Sequence, residues 1–133
     1  MKDYKDLVEI STDAWAEVLV DRTVTEERDL IVLRLVYESV NHEMHASDIA
    51  PHLNYTKHAP VNSQIARFSK RVIARTGVRP PTRENGSIRW WHVPFLGCDK
   101  DDGTCSWIMR PELVEAWEQV FGQADPEIVY PGE

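Results

Sequence analysis

One amphipathic segment, bounded by Pro60 and Gly77, limits the folds open to this chain more than any other stretch. Proline favours the first turn of a helix and glycine the position just past its end, so residues 60–76 are predicted to form one helix. Its other side carries small, polar and basic side chains. The helix is therefore predicted to bury one face and expose a cationic one. The apolar stripe consists of Val61, Ile65, Phe68 and Val72.

Shorter elements surround this helix. Capping residues, hydrophobic periodicity and the positions of proline and glycine indicate where each one begins and ends. The hairpin is indicated by apolar and aromatic residues that favour a pleated surface. In chain order we predict helices at 13–20, 25–40 and 48–53, a turn at 41–45, a hairpin with strands at 88–95 and 105–109, and a last helix between Pro111 and Gly122.

The order helix, very short helix, longer helix and two-stranded hairpin is typical of a winged helix-turn-helix. We therefore expect an α+β fold, mainly helical, with one helix added before this core and one after it. A chain of 133 residues suits one such domain. Residues 1–24 are predicted as an N-terminal extension with a short helix, residues 25–122 as the winged-helix domain, and residues 123–133 as a tail or linker.

Basic residues are concentrated around the long helix. The whole chain has a net charge of −7, yet residues 49–98 alone carry +7, and the flanking segments 1–48 and 99–133 each carry −7. The major groove of B-DNA accepts a helix, and phosphates attract cations. This charge distribution predicts binding to duplex DNA through helix 60–76 and hairpin 88–109.

Individual roles follow from position along the helix. Asn62, Ser63 and Arg67 lie in its N-terminal half and are candidates for reading base edges, because Asn and Arg can bond bases bidentately. Trp90 is a candidate for stacking on an exposed base, although packing between the hairpin and the last helix is the commoner role for such a residue. Further basic side chains are candidates for phosphate contacts, which position a protein without reading sequence. These are Lys57, His58, Lys70, Arg71, Arg75 and Arg89.

Several short runs also resemble a known group of proteins: Ala46-Ser47-Asp48-Ile49-Ala50, Pro60-Val61-Asn62, Lys70-Arg71, Arg89-Trp90-Trp91 and Trp107-Ile108-Met109-Arg110-Pro111-Glu112-Leu113. Over about residues 25–121 the chain is similar to the N-terminal modules of bacterial restriction proteins that carry a downstream HNH nuclease domain. The resemblance implies binding of duplex DNA, including modified DNA, a role in bacterial defence, and a nuclease domain in the same or a partner chain. It carries over no catalytic residue, so the chain itself is not expected to be an enzyme.

The acidic majority of the chain supports a second interpretation. The same fold can dock a protein partner or dimerise through its acidic surface. The negative charge of the flanking segments repels DNA unless it is held away from it. Tyr4, Trp15 and the last helix would then supply the apolar contacts. A contiguous exposed apolar patch would favour this interpretation.

Cys98 and Cys105 are the only cysteines. The sequence has no apolar run that could span a bilayer and no signal-peptide core, so we expect a cytoplasmic location and no membrane partner. Free thiols are the expectation in that compartment, although the position of the two cysteines beside the hairpin tip makes a disulfide feasible. No cofactor or metal is expected, because the cysteine spacing does not fit that of familiar zinc sites around His42 and His45.

Overall fold

The computed structural model describes residues 3–4, 7–99 and 104–122. Within these ranges the chain forms an α+β structure that is mainly helical, which confirms the predicted class. The tail or linker predicted at 123–133 lies outside them. The helices are α1 (Thr12–Val20), α2 (Glu27–Glu38), α3 (Ala46–Ile49), α4 (Ala59–Thr76) and α5 (Pro111–Phe121), and the strands are β1 (Asp3–Tyr4), β2 (Glu43–His45), β3 (Phe95–Cys98) and β4 (Ser106–Met109).

Helix α4 is the predicted long helix, and its buried stripe is the predicted one. Gly77 follows it with a φ of 70° and donates its N–H to the carbonyl of Ile73 at 2.8 Å. Glycine adopts this left-handed conformation without the steric penalty of a side chain, which explains why the helix ends there. The stripe is fully buried at Val61, Ile65, Phe68 and Val72.

The strands form one antiparallel sheet in the order β1-β3-β4-β2. Strands β3 and β4 are consecutive and pair Phe95 with Met109. On the other side of β4, strand β2 places Met44 opposite Trp107. Residues 41–45 are predicted as a turn, and this prediction is wrong for the three residues of β2. This short polar stretch becomes a strand because it pairs with β4, some sixty residues later.

The predicted strand from Ile88 to Phe95 is wrong over most of its length. Trp90–His92 forms a single 3-10 turn, and the strand begins only at Phe95. A high β-propensity reflects how well a residue packs on a half-buried surface. Trp90 and Trp91 find such a surface against the core without entering a ladder.

Two helix starts also differ from prediction. Helix α2 has Glu26 as its N-cap, because Thr25 is buried and donates its hydroxyl to the carbonyl of Val18 at 2.7 Å. The short helix expected at 48–53 begins earlier, at Ala46, and continues as a 3-10 turn over Ala50–Leu53. The first difference arises because Thr25 bonds to a residue of α1, seven positions earlier.

The segment before α2 contributes to the same core as the rest. Val8 and Ile10 are buried, and the Trp15 ring stacks on Phe68 of α4 with 6.5 Å between centroids. Trp15 is only 1% exposed. The apolar docking role that the second interpretation gives to Trp15 is therefore wrong, while the Tyr4 side chain lies outside the described residues. No helix of the described ranges is long and apolar enough to cross a bilayer.

A disulfide between Cys98 and Cys105 joins the ends of β3 and β4. The expectation of free thiols is wrong, because the antiparallel pairing brings the two Cα atoms to 5.4 Å, within the range that a disulfide requires. Gly97, next to Cys98, has a φ of 136°. A Cβ at that position would collide with the carbonyl oxygen of Ser106, so only glycine permits this close approach of the strands.

Candidate nucleic-acid interface

The side of α4 that faces away from the core forms a continuous exposed strip. We call it the outer face of α4, and it consists of Ser63, Ala66, Arg67, Lys70 and Ala74. Ala66 is half-buried and the other four are exposed. Among the described residues, Arg67 and Lys70 have no carboxylate partner, and the Arg67 guanidinium contacts only Gln64 Oε1, at 3.3 Å. Two cations on this face are thus available to an anion.

Arg71 and Arg75 are used differently, because both bind acidic residues that precede α4. Arg71 donates from Nη2 to Asp29 Oδ2 at 2.6 Å, and Arg75 forms an ion pair with Asp21. Both were predicted to contact phosphate. In this structure the acidic N-terminal segment already neutralises them, so the cationic surface is confined to the more N-terminal turns of the helix.

Asp29 is the buried centre of this polar cluster. Its carboxylate also accepts from Gln64 Nε2 at 2.5 Å and from the backbone N–H of Glu26 at 2.9 Å. Burial raises the pKa of Asp29 above its ordinary value, while the hydrogen bonds and the Arg71 charge act in the opposite direction. The Arg71 contact is therefore structurally important, since it compensates for a carboxylate that has no exposure to water.

Asn62, Ser63 and the residues before α4 lie at the N-terminal end of the strip. Ser63 is exposed, whereas Asn62 is buried, with only 8% of its surface exposed, contrary to the expectation that it can read base edges from the outer side of the helix. Lys57 is exposed, and His58, half-buried, is the N-cap of α4. The structure thus brings Lys57, His58, Asn62 and Ser63 to the same end of the helix, with Arg67 and Lys70 one to two turns further on.

The 3-10 turn of Trp90 and Trp91 lies beside α4. The Lys70 ammonium stands 5.5 Å from the centre of the Trp90 ring, in cation–π contact. The Arg83 guanidinium stands 5.7 Å from the Trp91 ring and also binds the Asp99 carboxylate at 2.6 and 2.9 Å. Any base that stacks on Trp90 must therefore compete with Lys70 for the face of that ring. The Trp91 ring likewise has a cation beside it, Arg83.

Arg89 is inside the protein, and the prediction that it contacts phosphate is wrong. It is 1% exposed, and its Nη1 lies 3.2 Å from Nδ1 of His92. The other ring nitrogen, Nε2, lies 3.0 Å from the carbonyl oxygen of Gly97. Burial first, and then the Arg89 charge, lower the pKa of His92 to about 4. His92 is therefore neutral at pH 7, accepting from Arg89 and donating to Gly97.

Residues 49–98 include eight basic residues, and these separate into two groups. Arg71, Arg75 and Arg83 are in ion pairs, and Arg89 is buried. The remaining four are exposed and have no carboxylate partner within the described part of the chain, and they are Lys57, Arg67, Lys70 and Arg79. The usable positive charge is therefore about half of what the sequence count indicates.

Two contributors to this surface received no site role from the sequence, Ala66 and Trp91. Together with Ala59, Asn62 and Ser63 they line a concavity of about 180 Å³ beside the N-terminal half of α4. The spacing of Ala59, Ser63 and Ala66, at i, i+4 and i+7, could have indicated a shared helical face. No sequence signal places Trp91 opposite that face, because the turn at 90–92 was not predicted.

Comparison with models of known protein families, with curated proteins and with solved structures finds no match to this chain.

Proposed function

We propose that this chain is a winged helix-turn-helix module that binds duplex DNA and has no catalytic activity of its own. The observation that carries the proposal is the outer face of α4, where Arg67 and Lys70 are exposed and have no carboxylate partner among the described residues. A helix with such a face fits the major groove, with cations directed at the phosphates on its sides.

The sheet supports the winged-helix interpretation. Strand β2 lies between α2 and α3 in the chain and pairs with β4 of the hairpin. A strand in this position, joined to a hairpin that follows the recognition helix, is the arrangement of a three-stranded wing sheet. Helix α3 packs on α4 and holds its buried face, which leaves the outer face for a ligand.

The distribution of charge between the helix and the hairpin favours α4 as the element that makes most of the DNA contacts. The tip of the hairpin is acidic in sequence, with Asp99, Asp101 and Asp102. Asp99 is bound to Arg83, and the positions that follow lie outside the described residues. Acidic side chains are repelled by phosphate, so the tip is a poor phosphate-binding element and the hairpin acts chiefly by supporting the turn at 90–92.

The resemblance to modules of HNH restriction proteins supports a role in bacterial defence. In that role the chain would deliver a nuclease domain, in the same or a partner chain, to DNA. The rival role in docking a protein partner is weaker here, since Trp15 and Trp117 are both buried.

A salt titration tests the proposal. The full chain is titrated with a labelled random-sequence duplex at several salt concentrations between about 50 and 200 mM. With up to four exposed cations near phosphates, log affinity is expected to fall linearly with log salt with a slope between about −2 and −4. A flat salt response, or absence of binding at the lowest salt, would overturn the proposal. Light scattering on the same sample shows whether the chain self-associates instead.

A further inference from the structure

Arg28 and Tyr55 form a cation–π pair just before the start of α4, and neither belongs to the outer face of that helix. Arg28 lies in the first turn of α2, and Tyr55 lies in the connector 54–58 that leads into α4. The Arg28 guanidinium carbon is 5.6 Å from the centre of the Tyr55 ring, and its Nη1 is 3.4 Å from the Tyr55 hydroxyl oxygen. The pair therefore joins α2 to the residues that introduce α4.

The positive charge of Arg28 has no carboxylate partner in the part of the chain that the structure describes. Arg28 is exposed, and its acceptors there are neutral, the Tyr55 hydroxyl and, at 3.5 Å, the carbonyl of Leu53. The Glu26 carboxylate lies instead 3.5 Å from Arg71. Both bonds of Arg28 come from Nη1. The donors on Nε and Nη2 therefore remain for an anionic acceptor.

The start of α2 lies along one border of the outer face of α4. Asp29 accepts from Gln64 Nε2 at 2.5 Å, and Gln64 in turn accepts from Arg67 at 3.3 Å. Lys70 is nearer the opposite border, where its ammonium contacts the Trp90 ring. A helix in the major groove lies between two phosphate backbones. Both borders therefore approach phosphates, and each one carries a cation against an aromatic ring.

We propose that Arg28 and the Tyr55 hydroxyl form a binding site for one phosphate of the DNA backbone, beside the start of α4. The Arg28 guanidinium donates to the phosphate. The Tyr55 oxygen accepts from Arg28, and its own proton is donated to a second oxygen of the same phosphate. This inference rests on the proposed DNA-binding function and extends the contact surface to α2, which belongs to the acidic part of the sequence.

Stacking on Tyr55 prepares Arg28 to bind an anion. The ring is half-buried and packs against the core, so it gives the guanidinium a fixed support. A long side chain that is held in place beforehand loses less conformational entropy on binding. The planar guanidinium also matches the oxygens of a phosphate. Glu27, exposed beside Arg28 in the chain, reduces the attraction, so we expect a smaller effect here than at Lys70.

Salt titrations of single variants with a labelled random-sequence duplex test the site. Arg28→Gln is expected to weaken binding roughly three- to fivefold near 0.1 M salt and to make the salt slope shallower by about 1, because one phosphate contact is lost. Arg22→Gln is the matched control, since Arg22 is also exposed and also donates to a backbone carbonyl, that of Leu19. Its slope should equal that of wild type.

Two conservative variants separate the charge from the geometry of the pair. Tyr55→Phe keeps the ring but removes the hydroxyl, and it is expected to weaken binding about two- to threefold without changing the salt slope. Arg28→Lys keeps the charge and should restore the wild-type slope, but not the full affinity, because an ammonium lacks the planar set of donors. Urea unfolding establishes that each variant is folded under the binding conditions.

The outcomes distinguish this inference from the function on which it rests. If Arg28→Gln and Arg22→Gln weaken binding equally, the effect reflects net charge and the site is wrong. If Arg28→Gln weakens binding but keeps the wild-type slope, Arg28 acts only by supporting the connector, which also overturns the inference. In both cases DNA binding by wild-type protein stands. If wild-type protein binds no duplex at low salt, the proposed function fails and the site with it.

Discussion

Arg71 on α4 donates from Nη2 to the buried carboxylate of Asp29 on α2 at 2.6 Å, and from Nε to the carbonyl of Val24 at 2.8 Å. These bonds fasten the start of α2 to the fourth turn of α4. A residue whose sequence context favours phosphate binding therefore has a structural role. Its neighbour Lys70 is exposed, with its ammonium group beside the Trp90 ring, and remains the better candidate for a DNA contact.

We expect Arg71→Ala to lower the free energy of unfolding by about 3 kcal/mol, because it leaves the Asp29 carboxylate buried without its charge partner. Arg75→Ala is the matched control, since its ion pair with Asp21 is exposed enough to contribute only ~0.5 kcal/mol. Urea unfolding of both variants and of wild type measures the difference. Equal losses in the two variants would contradict the structural role of Arg71.

Removal of one cation from the outer face should weaken DNA binding without unfolding the protein. Lys70→Ala is expected to reduce affinity for random duplex DNA roughly five- to tenfold near 0.1 M salt and to make the salt slope shallower by about 1. Its stability should change by less than about 1 kcal/mol, the contribution of an exposed cation–π contact.

Arg22→Ala controls for the loss of charge in that experiment. Arg22 is exposed after α1 and donates to the carbonyl of Leu19, so it does not belong to the outer face of α4. Its removal should leave the salt slope unchanged. If Arg22→Ala and Lys70→Ala weaken binding equally, the effect reflects net charge and not the outer face of α4.

Stability should depend on pH through His92. Its pKa is about 4 in the folded protein and about 6.5 in an unfolded chain, so between these values the unfolded state binds more protons. The contribution of neutral His92 is therefore complete above about pH 6.5 and is lost as the pH falls toward 4. The full effect is on the order of 3 kcal/mol.

His92→Gln provides the comparison, because a buried glutamine can still accept from Arg89 and donate to Gly97 but does not titrate. Urea unfolding at several pH values between about 4.5 and 7.5 should show a shallower pH dependence for the variant. Subtracting the two curves removes the contribution of Asp29, whose raised pKa affects stability in the opposite direction. Parallel curves would mean that His92 titrates normally.

The disulfide should stabilise the hairpin by restricting the unfolded chain. Cys98 and Cys105 are seven residues apart, and closing so short a loop contributes about 2 kcal/mol. Reduction, or the double substitution Cys98→Ser and Cys105→Ser, is expected to lower the unfolding free energy by that amount. The double variant should then be insensitive to reductant. Equal stability of wild-type protein with and without reductant would contradict a stabilising role for this bond.

Helices α1, α4 and α5 could be predicted almost to the residue because their signals are local. Ser11 caps α1 by accepting from the Ala14 N–H, and Pro111 begins α5 in the first turn. The exposed positions of Arg67 and Lys70 followed from the same helical periodicity. That part of the candidate site depends only on one helix burying its apolar stripe.

Strand β2, the turn at 90–92 and the disulfide could not be predicted in this way. Each depends on a partner distant in sequence or on a surface built by several elements. Strand β2 contains only three residues and becomes a strand because β4 lies next to it. The tryptophans at 90 and 91 satisfy their preference for a half-buried surface against α4 and the core, and not in a ladder.

The order of amino acids was enough to identify the amphipathic helix, its cationic face and the mainly helical class of the fold. Which cations remain on the surface depends on the folded chain, because the charges that neutralise Arg71 and Arg75 come from residues 42 and 54 positions earlier. Helical periodicity is a property of neighbouring residues, whereas burial and ion pairing depend on segments that meet only when the chain folds.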